Sequence, residues 1–214
     1  MNVFILCTGR CGSTTLERAF SHLENYTCRH ESRVNQLGEE RLNYPENHIE
    51  SDNRLSWFLG RLDEKYGDEA FYVHLSRNPD EVASSYAKRF HPGLIMPAYS
   101  HGIYIDLPPN IEPFKNQIAH DYIETVESNI RLFLKDKSNK ISMDLSEIEE
   151  KFPVLWEKIG AKGDLSKALG ELNIKYNYAG SGKDLRPQEP PLVVRLGKKI
   201  IRVLKKFPGF LRNA

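Results

Sequence analysis

The chain has 214 residues, with 30 basic and 29 acidic side chains, a formal net charge of +1 and 40 % hydrophobic residues. Those values fit one ordinary globular domain. They exclude the charge excess of a disordered chain, and no nucleic-acid partner is expected. No apolar run reaches the eighteen or so residues needed to span a bilayer, and three scattered cysteines argue against a disulfide scaffold and for a reducing compartment.

The apolar run Val3-Phe4-Ile5-Leu6-Cys7 predicts a buried strand near residues 2–7. The chain enters that strand after two residues, so no signal peptide is expected. Thr8-Gly9-Arg10-Cys11-Gly12-Ser13-Thr14-Thr15 follows and leads into a helix near 14–24. A strand, a glycine-and-hydroxyl turn and a helix start are the parts of an anion cradle, in which backbone N–H groups at the helix N-terminus point at the ligand. Gly9 and Gly12 allow close backbone approach, Arg10 adds a fixed charge, and Ser13, Thr14 and Thr15 supply hydroxyl donors. An ordinary structural turn uses the same residue types. The loop is not Gly-x-x-x-x-Gly-Lys-Ser/Thr, because Ser13 follows Gly12 where that motif has lysine. Nor is it a Gly-x-Gly-x-x-Gly dinucleotide fingerprint.

Next come a short strand over 27–30, running into Glu31, and a helix over 52–66 with Trp57 in the core. Phe71 to Ser76 predicts a second buried strand, ending at Arg77-Asn78-Pro79-Asp80-Glu81. Asn78 is a good N-cap and Pro79 a good first residue for a helix over 79–90. Arg77 stands at the strand end and Ser85 two turns into that helix, so both can reach one phosphate. The structural alternatives are an ion pair of Arg77 with Asp80 or Glu81, and a plain helix serine. The stretch from His91 to Lys115 holds five prolines and predicts a long loop at the site edge, serving as a lid, an acceptor surface or an ordered cover. A helix over 118–136, a strand over 139–144 and helices near 146–160, with Trp156 in the core, and 164–172 complete the series.

This alternation predicts a three-layer α/β/α domain with a small parallel sheet. Ligands in such sheets bind beyond the carboxyl ends of the strands, where the first loop, Glu31 and Arg77 all fall. From Leu192 to Ala214 there are seven basic residues and no acid, leaving a charge of −6 on the rest. Leu196, Ile200, Val203 and Phe207 recur at helical spacing. The chain is therefore divided into a domain over 1–190 and a basic amphipathic tail over 191–214, which either lies on an anionic membrane surface or docks on the domain.

The strand leading into Arg10-Cys11-Gly12-Ser13-Thr14-Thr15 resembles the 5′-phosphosulfate loop of sulfotransferases that use 3′-phosphoadenosine 5′-phosphosulfate (PAPS). In that family a second strand ends in arginine, and a serine eight positions later holds the 3′-phosphate; Arg77 and Ser85 stand so here. Ser84 is the neighbouring alternative, about 100° away around the helix. The resemblance covers residues 1–90 and implies the P-loop NTPase-like sulfotransferase fold of the Golgi-type and bacterial branch. It implies PAPS as donor, 3′,5′-bisphosphate (PAP) as product and no metal. Arg10, Cys11, Gly12, Ser13, Thr14 and Thr15 would hold the phosphosulfate, with Arg10 at the bridge between phosphate and sulfate. Arg77 and Ser85 would hold the 3′-phosphate, and Lys183 and Arg186 fall in the family's late Gly/basic segment. Cys11 stands where the family has serine; it is expected to give a backbone N–H and is placed to meet thiol reagents.

The family's base is a glutamate near the second strand, which implies Glu31, twenty-one residues after Arg10. His30 is the rival, on the opposite face by strand alternation. Pairing of Glu31 with Arg29 or Arg33 is the structural alternative. The resemblance allows many acceptor hydroxyls and amines; a glycan or glycolipid is expected, in a bacterial cytoplasmic enzyme, with the tail at the cytoplasmic membrane face, since the chain starts without a Golgi anchor and stem. Two other classes stay open. One is a P-loop-like small-molecule kinase with Asp144 as its metal-holding acid; the other is a non-catalytic nucleotide-binding module.

Overall fold

A computed structural model describes residues 1–104 and 107–174. Five strands form one parallel sheet in the order β2-β3-β1-β4-β5. They are β1 (Val3–Leu6), β2 (Thr27–His30), β3 (His48–Ser51), β4 (Phe71–Ser76) and β5 (Lys140–Asp144). The helices are α1 (Ser13–Phe20), α2 (Leu59–Tyr66), α3 (Pro79–Ala87), α4 (Ile95–Gly102), α5 (Lys115–Leu134), α6 (Ile148–Lys158) and α7 (Leu165–Leu172). The central strand β1 is apolar on both faces and β4 is buried along nearly its whole length, as a place between two helix layers demands. On one face, Phe4 packs its ring 4.8 Å from Tyr66 of α2, and Tyr72 meets Phe133 of α5 edge-on at 5.0 Å. The other layer holds α1, α6 and α7: Phe20 lies 5.3 Å from Phe152, and α1 packs along α7. The result is the expected three-layer α/β/α architecture.

Strand β3 was not legible. His48-Ile49-Glu50-Ser51 has one apolar residue, yet all four are buried, between β1 and β2. A buried carboxylate is tolerated only when its lone pairs are used. Here the Ser32 N–H and Oγ–H donate to Glu50 Oε1 and Oε2 at 2.7 and 2.6 Å, and His48 Nε2 lies 3.0 Å from Oε2. His48 Nδ1 lies 2.7 Å from Thr27 Oγ1 on β2.

Three further expectations are corrected. The helix expected over 52–66 is a 3₁₀ turn over Asn53–Trp57 followed by α2. The turn starts where Asp52, paired with buried Arg41, accepts the Arg54 N–H at 2.8 Å. Trp57 is 40 % exposed rather than in the core, whereas Trp156 is buried as expected. The segment expected as a long loop from 91 to 115 contains, among its described residues, helix α4, with Met96, Tyr99 and Ser100 buried. Pro97 sits in the first turn of α4, where its missing N–H costs nothing. Tyr99 donates to Asp121 at 2.8 Å and packs edge-on to Tyr122 at 5.3 Å. No helix among the described residues is long and apolar enough to cross a membrane. Lys183, Arg186, the boundary near 190 and the basic tail lie outside the described residues.

The chain leaves β1 through α1 toward β2, and leaves β4 toward β5 on the opposite flank. Adjacent strands whose exits diverge open a crevice at their carboxyl ends, the favoured ligand position in such sheets. The first loop and Arg77 both emerge there.

Candidate anion-binding site

The β1–α1 loop turns tightly because Gly9, Arg10 and Gly12 adopt φ of 84°, 62° and 86°. Left-handed backbone is cheap for glycine and costs an arginine about 1–2 kcal/mol. The glycines also serve the protein's own packing. A Cβ on Gly9 would strike the Tyr86 hydroxyl, and one on Gly12 would come within 2.6 Å of Leu145 Cδ1. The loop is held from below: the Tyr86 and Tyr122 hydroxyls both donate to the Thr8 carbonyl, the latter at 2.8 Å. Helix α1 begins at Gly12 without a side-chain cap or an acid in its first turn, so its positive end is not neutralised locally.

Arg10 projects from this loop, and its Nε donates to Ser85 Oγ at 3.1 Å. Arg77 reaches the same loop, donating from an NH1 to the Arg10 carbonyl at 3.2 Å, while its Nε donates to Glu81 at 2.7 Å. The ion pair expected as the structural alternative is thus present together with the contact to the cradle. Ser84 is exposed and faces away. Burial pushes the Arg10 guanidinium below its ordinary value, and the nearby positive charges of Arg89 and Arg77 push it further. Three guanidiniums therefore converge beside an uncapped helix start. Arg89, just beyond the end of α3, was missed in the sequence.

Among the other loop residues, Ser13 Oγ lies 3.1 Å from His30 Nε2, Thr14 is half-buried and Thr15 is buried. Cys11 is fully buried and its thiol donates to the Gly9 carbonyl at 3.1 Å, so its expected exposure to thiol reagents is corrected. The neighbouring Cys7 thiol hydrogen-bonds Cys11 and lowers its pKa, while Cys7 is itself pushed up.

His30 is the last residue of β2 and Glu31 lies just past it in left-handed backbone, so strand alternation does not govern the pair; their side chains have different partners. The ring of His30 goes to the cradle. Glu31 has φ 51° and its carboxylate lies 2.9 Å from Arg54 NH1, rather than on Arg29 or Arg33. Asp144 is already engaged: Oδ2 accepts from Ser76 at 2.9 Å, and Oδ1 from the Ser146 N–H and hydroxyl at 3.0 and 2.7 Å.

No protein-family model matches the chain, and no curated protein does either. Among solved structures, the chain is similar to a mouse sulfotransferase complexed with PAP. The TM-score is 0.48 and the identity 12 %, over 97 % of this chain and 85 % of that one. A likeness at that level is silent on activity and on ligands.

Proposed function

We propose that the chain is a sulfotransferase that moves a sulfuryl group from PAPS to a hydroxyl or amine on a glycan or glycolipid. The observation that supports this reading is the convergence of Arg10, Arg77 and Arg89 with Ser85 on one uncapped helix start at the sheet's switch point. Like charges held together by the fold are complementary to a polyanion. The donor, when bound, brings a sulfuryl group on a phosphate that gains negative charge as the sulfuryl leaves.

In this proposal, Arg10 and the N–H groups of Cys11, Gly12, Ser13, Thr14 and Thr15 hold the 5′-phosphosulfate, and Arg10 balances the charge developing on the leaving phosphate. Arg77 and Ser85 hold the 3′-phosphate, which competes with Glu81 for the Arg77 fork; Lys183 is proposed to close over the nucleotide. The base takes the acceptor proton as the new S–O or S–N bond forms. Sequence favoured Glu31. The contact of His30 with Ser13 and the engagement of Glu31 by Arg54 favour His30.

Calorimetry with adenosine 3′,5′-bisphosphate, set against ATP plus magnesium, tests the reading. Bisphosphate binding and transfer of labelled sulfate to a surface-glycan extract are the expected results. Tight ATP binding without bisphosphate binding would replace the reading by a kinase. Bisphosphate binding without transfer to any acceptor would leave a nucleotide-binding module.

A further inference from the structure

The edge of the sheet carries a second concavity, of about 450 Å³, on the face of β2 turned away from the cradle. Thr27 and Arg29 face it, while the alternate residues Cys28 and His30 face α1 and Ser13. Its lining includes Thr27, Arg29, Ser32, Arg33, Tyr44 and His48, and no carboxylate.

We propose that this pocket binds a small organic anion, with a phosphate, sulfate or carboxylate group between Arg29 and Arg33. The Arg29 side chain makes no hydrogen bond or ion pair among the described residues. Arg33 is held in place: its NH1 donates to the Glu40 carbonyl at 2.9 Å and its guanidinium lies 5.6 Å from the centre of the Tyr44 ring. One arginine is thus fixed and the other is available, a pairing suited to closing on an anion.

The pocket floor is built rather than incidental. His48 is 3 % exposed, stacks on Tyr44 at 5.4 Å, and is held between Thr27 Oγ1 and Glu50 Oε2. Glu50 is fully buried beneath it, with both oxygens occupied by Ser32 and His48, while the exposed Glu40 carboxylate lies 3.4 Å from Arg33 NH1 at the rim and is the charge an anion would compete with. The Glu50 charge is thus turned inward, beneath the donors that line the pocket. A volume in this range suits a molecule larger than a bare ion, so a sugar phosphate, sugar sulfate or sugar acid is the class that fits. This site is independent of sulfuryl transfer at the cradle, and either assignment can fail without the other.

Amide NMR of the intact chain, titrated with glucose 6-phosphate, galactose 6-sulfate, glucuronate, glucose and inorganic phosphate, tests the proposal. The expected result is a saturable shift of amides in residues 27–36 with at least one charged sugar and none with glucose. Arg29→Glu and the Arg29→Ala/Arg33→Ala double variant should weaken that binding at least tenfold, with the remaining spectrum unchanged. Arg77→Ala should leave it intact. No saturable shift with any charged sugar overturns the proposal. An equal response to inorganic phosphate, or an undiminished response in the single Arg29→Glu variant, also overturns it.

Discussion

Arg10 Nε donates to Ser85 Oγ across 3.1 Å and so ties together two strand-to-helix junctions 75 residues apart in sequence. The tie is reinforced from Arg77, which donates to the Arg10 carbonyl. A ligand that engages one junction therefore meets side chains from the other.

Removing Arg77 tests how far that arrangement serves a phosphate. Arg77→Ala should weaken adenosine 3′,5′-bisphosphate binding by about 1.5–3 kcal/mol, the scale of a hydrogen bond to a charged group. Ser85→Ala should cost about 1 kcal/mol. Glu81→Gln should tighten binding a few-fold, because Glu81 competes for the same fork. Calorimetry reads all three, and unchanged affinity in Arg77→Ala would place the 3′-phosphate elsewhere.

The two candidate bases separate cleanly. His30→Ala should lower labelled-sulfate transfer by roughly 10²–10⁴-fold, the usual range for a lost general base. Glu31→Gln removes a half-exposed ion pair and should cost under about 1 kcal/mol of stability with transfer largely kept. The reverse pattern assigns the base to Glu31.

Asp144 gives a signed pH prediction. Burial pushes its carboxyl up, but hydrogen bonds from Ser146 and Ser76 outweigh burial and hold it below its ordinary value. A depressed native pKa stabilises the fold above the unfolded value of about 4 and loses that contribution as pH falls through the native one. Asp144→Ala should thus destabilise by about 1 kcal/mol at pH 7, as for a lost cap. Urea melts should show the difference shrinking at pH 2–3.

The two loop glycines should not be equivalent. Both need positive φ, but a Cβ on Gly12 meets the end of the flexible Leu145 side chain, whereas one on Gly9 meets a tyrosine hydroxyl already bonded to Thr8. Gly12→Ala is expected to lose about 1–2 kcal/mol from backbone strain, and Gly9→Ala more. Denaturation midpoints rank them.

Thiol labelling checks the orientation of Cys11. Cys7 and Cys11 are fully buried, and burial pushes the Cys28 thiol well up. A disulfide reagent at neutral pH should modify none of the three quickly in the native protein, and all three after unfolding. Rapid modification of Cys11 would show its side chain on the ligand face.

Several of these features were readable because local chemistry determines them. The apolar runs of β1 and β4 need no partner to be recognised as buried strands. Asn78 and Pro79 announce the start of α3, where the Asn78 side-chain Oδ1 does accept the Asp80 and Glu81 N–H groups at 3.0 and 3.2 Å. Strand β3 was hidden because its burial is made possible by Ser32 and Thr27, which lie up to 21 residues away. Helix α4 was hidden by prolines whose cost depends on their place in the turn. His30 was visible only as the rival to Glu31, and its distance to Ser13 is what raises it; Arg89 carries no local mark and is identified by its charge beside Arg10.

Tyr122 has one further consequence. Its hydroxyl grips the carbonyl beneath the cradle while its ring bears the edge of Tyr99 in the covering helix α4. Cover and cradle thus share a single lever. A shift of α4 would therefore load the same side chain that supports Thr8, and the strain would be felt one and two residues on, at Gly9 and Arg10.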